Sequence, residues 1–150
     1  MYKGPLYIAA DHAGFKLKKR LIRYIENELD LKIEDMGASE FDENDDYPDF
    51  IYPCAVETIK NSGRCIVIGG SGNGEAIVAN KVKGMRCALC HSTETAELSR
   101  QHNDANGIAL GGRILTDDHA MAIIKTWLKT EFEGGRHERR LKKISDYEKK

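Results

Sequence analysis

The residues most able to do chemistry sit in the run Gly69-Gly70-Ser71-Gly72-Asn73-Gly74-Glu75. Repeated glycines let a backbone approach a ligand closely, and a helix opening after them aims its N–H groups at negative charge. The spacing is neither a dinucleotide fingerprint nor a phosphate loop, since no Lys-Ser/Thr follows. A plain strand-to-helix turn that needs glycine is an equal reading of this run taken alone. Glu75 falls in the first turn of that helix, where a carboxylate ordinarily complements the helix dipole. Beside a donor-rich loop it also suits proton abstraction alpha to a carbonyl: Glu75 as base, the loop and the Ser71 hydroxyl stabilising an enediolate oxyanion.

Asp11 and His12 follow an apolar run in IAADHAGF. Asp11 competes between a catalytic role and a helix cap, and His12 adds an ionisable donor at the same place. His102 lies in SRQHNDAN, late in a predicted helix, where the C-terminal dipole alone would favour it. Arg136 and Arg140 are four apart and share a helix face, and Arg113 follows a strand. Guanidinium groups match a phosphate dianion, although RHERRLKK taken alone also reads as a solvated basic tail.

Positioning these groups falls to short apolar runs that alternate with helical patterns. Strands are expected at LYIAA (6–10), KIEDM (32–36), CIVIGG (65–70), RCALC (86–90) and GIALGG (107–112). Helices are expected at 15–29, 49–61, 74–82, 93–103 and 117–130, with Pro53 in a tolerant first turn. This alternation predicts an α/β fold with a five-stranded parallel sheet covered on both faces. In such a sheet, ligands sit outside the carboxyl ends of the strands. Asp11-His12, Asp35 and Gly37, GSGNGE, His91 and Gly111-Gly112-Arg113 all fall there. From about residue 131, Gly134-Gly135 interrupts the chain and a basic helical tail resumes. It is too short for a domain and is expected to dock on its own body or on a second subunit.

Bulk properties narrow the classes. At 150 residues the chain fits one domain, and a formal charge of −1 gives no global field toward nucleic acid or anionic membrane. Neither a signal peptide nor a membrane span is legible, so a soluble cytoplasmic protein is expected. Cys87 and Cys90 have CxxC spacing, but three residues apart on a strand they face opposite ways. With Cys54 and Cys65 they read as buried structural thiols, and no metal site is expected.

Together the stretches ADHAGF (10–15), D-x-G (35–37), DYPDF (46–50), GGSGNGEAIVANKVKGMRCALC (69–90), HNDANGIALGGR (102–113) and RHERR (136–140) resemble the ribose-5-phosphate isomerase B family, which includes the galactose-6-phosphate isomerase subunits. The resemblance covers nearly the whole chain. It implies a Rossmann-like three-layer fold and a homodimer with sites at the subunit interface. It also implies interconversion of ribose 5-phosphate and ribulose 5-phosphate through a cis-enediolate, without metal or other cofactor. On the matching positions, Asp11 and His102 would assist ring opening. His12, Arg113, Arg136 and Arg140 would hold the phosphate, Tyr47 would line the pocket, and Gly70, Gly72, Asn73, Gly74 and Asn103 would complete the substrate site. Many members carry a cysteine base where this chain has Gly69; the GGSGNGE branch places the base at Glu75. The same chemistry on a four- or six-carbon sugar phosphate is the nearest rival, and a non-catalytic flavodoxin-like binding module is the rival of another class.

Overall fold

Residues 1–150 are described by a computed structural model. The strands are β1 (Leu6–Ala10), β2 (Glu34–Asp35), β3 (Arg64–Gly69), β4 (Cys87–Leu89) and β5 (Gly107–Gly111). The helices are α1 (Phe15–Asn27), α2 (Pro48–Lys60), α3 (Asn73–Ala79), α4 (Thr93–Asn103), α5 (Asp117–Lys129) and α6 (Arg136–Glu148), with a 3-10 turn at His12–Gly14. All strands run parallel in the order β2-β1-β3-β5-β4. Parallel strands need crossovers, and the helices that supply them cover both faces.

Alternation along each strand divides the core in two. Ile8, Ile66, Ile68, Ile108 and Leu110 pack under Leu21 and Ile25 of α1, Ala96 of α4, and Ile123 and Trp127 of α5. Ala9, Cys65, Val67 and Ala109 pack under Ile51 and Cys54 of α2 and Ala79 of α3. Burying each large apolar side chain stabilises the fold by ~1.5–3 kcal/mol. All four thiols are free and buried; Cys87 joins the α2 side and Cys90 the α1 side, as their spacing requires.

Two expectations need correction. The second strand is two residues long rather than five, because Gly37, at φ 108°, takes the chain out of extended geometry. The pairing continues irregularly: Met36 N–H donates to Ile8 O (2.8 Å) and Ala38 N–H to Ala10 O (2.8 Å). Pro48, not Pro53, occupies the first position of α2. Pro53 lies one turn further in, on the exposed side, where water can serve the Asp49 carbonyl that it leaves without a donor.

Candidate active site

The strand order decides which post-strand residues meet. From β1 the chain crosses outward to β2 and returns to β3 on the other side; from β3 it passes over the β5 position to β4 and comes back. The openings at these reversals lie between the carboxyl ends of β1, β3 and β5. Asp11-His12, the glycine-rich loop and Arg113 therefore converge. His91 follows the edge strand β4, and Asp35, on the opposite edge strand, is engaged by Lys18 at 2.6 and 2.8 Å. Neither belongs to the central crevice.

The loops that converge are bonded to one another through backbone. Gly112 N–H donates to Gly69 O (2.7 Å) and Arg113 N–H to Gly70 O (3.0 Å). Such approaches exclude side chains: a Cβ at Gly111 would stand 2.8 Å from Ser71 O. Gly72, at φ 84°, needs glycine to turn the chain into α3, and Asn73 N–H donates to Ser71 Oγ (3.2 Å). Of the remaining first-turn amides, that of Glu75 faces its own carboxylate, and that of Gly74 has no acceptor within the helix and is open to an anion. Arg113 is at the mouth of this loop, its Nη1 3.3 Å from where a Gly70 Cβ would be.

Glu75 is the third residue of α3 and is buried. Burial pushes its pKa above the ordinary carboxylate range; its own amide and that of Gly72 oppose this, while the negative charge of Asp11 adds to it. A Cβ placed on Gly69 would collide with the Glu75 carboxylate. The carboxylate thus fills the space in which a side chain at position 69 would lie. A cysteine there and a glutamate in this rotamer exclude one another, the physical content of the expectation that the base has moved from 69 to 75.

Asp11 does cap the following turn, its Oδ1 accepting from Ala13 N–H (3.0 Å) and Gly14 N–H (3.3 Å). Its Oδ2 makes no hydrogen bond and stands 4.0 Å from His12 Nδ1. Capping and a second role are compatible, because the two oxygens divide them. The Tyr47 ring lies over Gly74, where a Cβ would come within 2.6 Å of Cζ.

Asp45 was not singled out from the sequence. Its Oδ1 accepts from the His12 backbone N–H (3.0 Å) and pairs with His12 Nδ1 (2.7 Å). That hydrogen bond, above all, raises the His12 pKa, with burial and Arg113 opposing. His12 is thereby held with a proton on Nδ1 and biased toward imidazolium, a form suited to an anionic ligand. Lys18 was also missed: fully buried, it donates to Ala38 O (2.7 Å) as well as to Asp35 and anchors the start of the loop that carries Asp45 and Tyr47. The run of acids before Tyr47 was the one available signal, and it looks like any solvated turn.

The other candidates lie elsewhere. His102 and Asn103 end α4, and Asn103 O accepts from Arg86 Nε (2.9 Å) just before β4 starts, at the amino ends of the strands. Here His102 stacks on His137 at 4.4 Å, and burial, together with the charges of Arg136 and Arg140 on α6, pushes the His137 pKa down. Far along α6, Glu148 accepts from Gly84 N–H (3.2 Å), which keeps the helix at this end of the sheet. A single chain therefore gathers Asp11, His12, Tyr47, the 70–75 loop and Arg113 at one edge. It gathers His102, Asn103, Arg136 and Arg140 at the opposite one.

The family model for ribose/galactose isomerases matches residues 6–144. The chain belongs to the ribose/galactose isomerase family. Ribose-5-phosphate isomerase B of Mycobacterium tuberculosis (strain H37Rv) is 44% identical over 146 residues, covering 96% of this chain and 90% of that one. A solved structure of the Mycoplasma genitalium ribose-5-phosphate isomerase B with bound ribulose-5-phosphate superimposes with a TM-score of 0.95 at 43% identity, covering 100% of this chain and 99% of that one. The Clostridium thermocellum ribose-5-phosphate isomerase B gives a TM-score of 0.93 at 42% identity, covering 97% of each chain. The Rossmann-like α/β fold of the isomerase family is that of this chain.

Proposed function

We propose that this protein is an aldose–ketose isomerase that interconverts ribose 5-phosphate and ribulose 5-phosphate. The observation that carries the mechanism is the buried Glu75 carboxylate, set beside the glycine-rich loop in the central crevice of the sheet. Asp11 and His102 assist opening of the sugar ring. Glu75 removes the proton from C2 of the open-chain aldose. The C–H electron pair becomes the C1–C2 double bond, and the C1 carbonyl oxygen takes up the negative charge. The amides of Gly70 to Gly74 and the Ser71 hydroxyl stabilise that cis-enediolate oxyanion. The C2 hydroxyl proton passes to the C1 oxygen, which finishes as a hydroxyl, and Glu75 returns its proton to C1 as the C2 oxygen becomes the carbonyl. No step calls for a cofactor. His12, Arg113, Arg136 and Arg140 hold the phosphate, with Tyr47 and Asn103 against the sugar.

Residues at opposite edges of one sheet meet in one site when a second copy brings its own far edge alongside. The separation of Glu75 from His102 and Arg140 within the chain supports a homodimer with sites shared across the interface. So does α6, which touches the rest of the chain chiefly at α4 and leaves Ile144 and Tyr147 exposed. Exposed Tyr52 and Val56 on α2 and Ile77 on α3 offer an apolar surface for such a partner. No helix is long and apolar enough to cross a membrane; we place the enzyme in the cytoplasm, where its phosphorylated substrate is made.

Comparing kcat/KM for ribose 5-phosphate, allose 6-phosphate, galactose 6-phosphate and erythrose 4-phosphate tests the assignment. Preference for ribose 5-phosphate is expected. Preference for another sugar would move the enzyme to a different substrate with the same mechanism, and inactivity on all four would refute the isomerase reading.

A further inference from the structure

A cavity of about 400 Å³ opens at the amino ends of the strands, the opposite end of the sheet from Glu75. Arg64 is the first residue of β3, Arg86 immediately precedes β4, and Arg100 lies in the last turn of α4; all three line it. Its volume is within the range of small-molecule sites.

The charge in this cavity is unbalanced. Asp104 is the one carboxylate bonded to these guanidinium groups, at 2.9 Å from Arg100 Nη1 and 3.4 Å from Arg86 Nη2. Arg64 has no carboxylate partner; its guanidinium lies over the rings of Tyr2 (4.1 Å) and Trp127 (5.5 Å) and donates one long bond to Trp127 O (3.4 Å). Burial and the charge of Arg100 push Arg64 down to about 10. Arg86 Nη1, Arg100 Nη2 and Arg64 Nη2 make no hydrogen bond within the chain. Aromatic rings and backbone carbonyls hold these cations in place, so they are built into the fold.

We propose that this cavity is a second anion site, separate from catalysis, that takes a phosphate group. A guanidinium fork matches a carboxylate or a phosphate equally, but three of them converging on a partly desolvated space suit the several oxygens and double charge of a phosphate. The occupant is inorganic phosphate or the phosphate end of a small phosphomonoester. Its position also gives it a route to the reaction. Arg86 holds Asn103 O and Asp104 O, and Arg100 holds Ala105 O, the turn that directly follows His102. A phosphate on the free Arg86 Nη1 and Arg100 Nη2 pulls on the same guanidinium groups that hold these carbonyls, so occupancy alters the seating of His102 and Asn103. That consequence rests on the catalytic reading of His102; the binding does not.

The test is phosphate stoichiometry on the full chain, with inorganic phosphate as the probe and no sugar present. Wild type is expected to bind two phosphates per chain by calorimetry. Arg140→Ala removes the catalytic one. Arg64→Met, which removes the guanidinium over Tyr2 and Trp127 but leaves an unbranched apolar chain on β3, weakens the other about tenfold or more and leaves kcat/KM in phosphate-free buffer unchanged. In Arg140→Ala, saturable phosphate-induced shifts of the Arg64 and Arg100 Nε–H resonances report the cavity directly, whatever the folding of the Arg64 variant. Displacement of that phosphate by glycerol 3-phosphate identifies a phosphomonoester as occupant; resistance to it identifies free phosphate. One phosphate per chain, lost in Arg140→Ala, would overturn the proposal, as would unshifted Nε–H resonances. A second phosphate indifferent to a folded Arg64→Met would also overturn it.

Discussion

Gly69→Ala adds one methyl group and tests where the base works. Gly69 is not among the residues at positive φ, so alanine is conformationally allowed, and the nearest atoms its new Cβ meets are the end of the flexible Glu75 side chain. To regain ordinary van der Waals contact, the carboxylate must retreat by more than 1 Å, a misplacement that costs at least on the order of 100-fold in rate. That corresponds to about 2.7 kcal/mol in the barrier. The assay is steady-state isomerisation of ribose 5-phosphate, with thermal unfolding as a control. A fall in kcat with unchanged melting temperature and phosphate affinity is expected. In a Glu75→Ala background the methyl group should cost nothing further, because the group it displaces is gone. Wild-type kcat in Gly69→Ala would refute the reasoning: the carboxylate position seen here would not be the working one.

Glu75→Gln should lower kcat by about 10²–10⁴-fold while phosphate still binds; near-normal turnover would remove Glu75 as base. Since burial raises the Glu75 pKa in the free enzyme, the acid limb of the kcat/KM–pH profile should lie above the ordinary carboxylate range. The same shift has a stability consequence of definite sign. Between the unfolded and the raised folded pKa the native state binds more protons, so stability falls as pH rises through that window, and Glu75→Gln should flatten the fall. Asp45→Asn removes the partner that raises His12; the His12 pKa should drop and KM at neutral pH should rise, whereas an unmoved His12 titration by NMR would deny Asp45 this role. If sites are shared between subunits, mixing inactive Glu75→Gln and His102→Ala chains should restore about a quarter of wild-type activity, through one intact site per mixed dimer. Failure to recover activity after exchange would place each site within one chain.

Much of this protein is legible in its sequence because periodicity and glycine placement are local properties. The runs LYIAA and GIALG are apolar throughout because both faces of their strands are covered, so the parallel sheet could be read before any contact was known. The GGSGNGE run had to be a turn into a helix, and Glu75 had to stand in its first turn. CxxC spacing on a strand had to separate Cys87 from Cys90. Residue types and their offsets along one chain suffice for such statements.

Tertiary structure decided whatever depends on distance between segments remote in sequence. The strand order brings β1, β3 and β5 together and puts β2 and β4 at the edges, which set aside Asp35 and His91 although they too follow strands. Asp45 is 33 residues from His12, and only the packing of its loop, anchored by Lys18, shows the pair. His102 and Arg140 belong with Glu75 by motif, yet the fold holds them at opposite edges of the sheet. Patterning fixes which face of an element is buried; which neighbour it is buried against depends on how the crossovers close, and from that closure come both the crevice that holds Glu75 and the arginine-lined cavity.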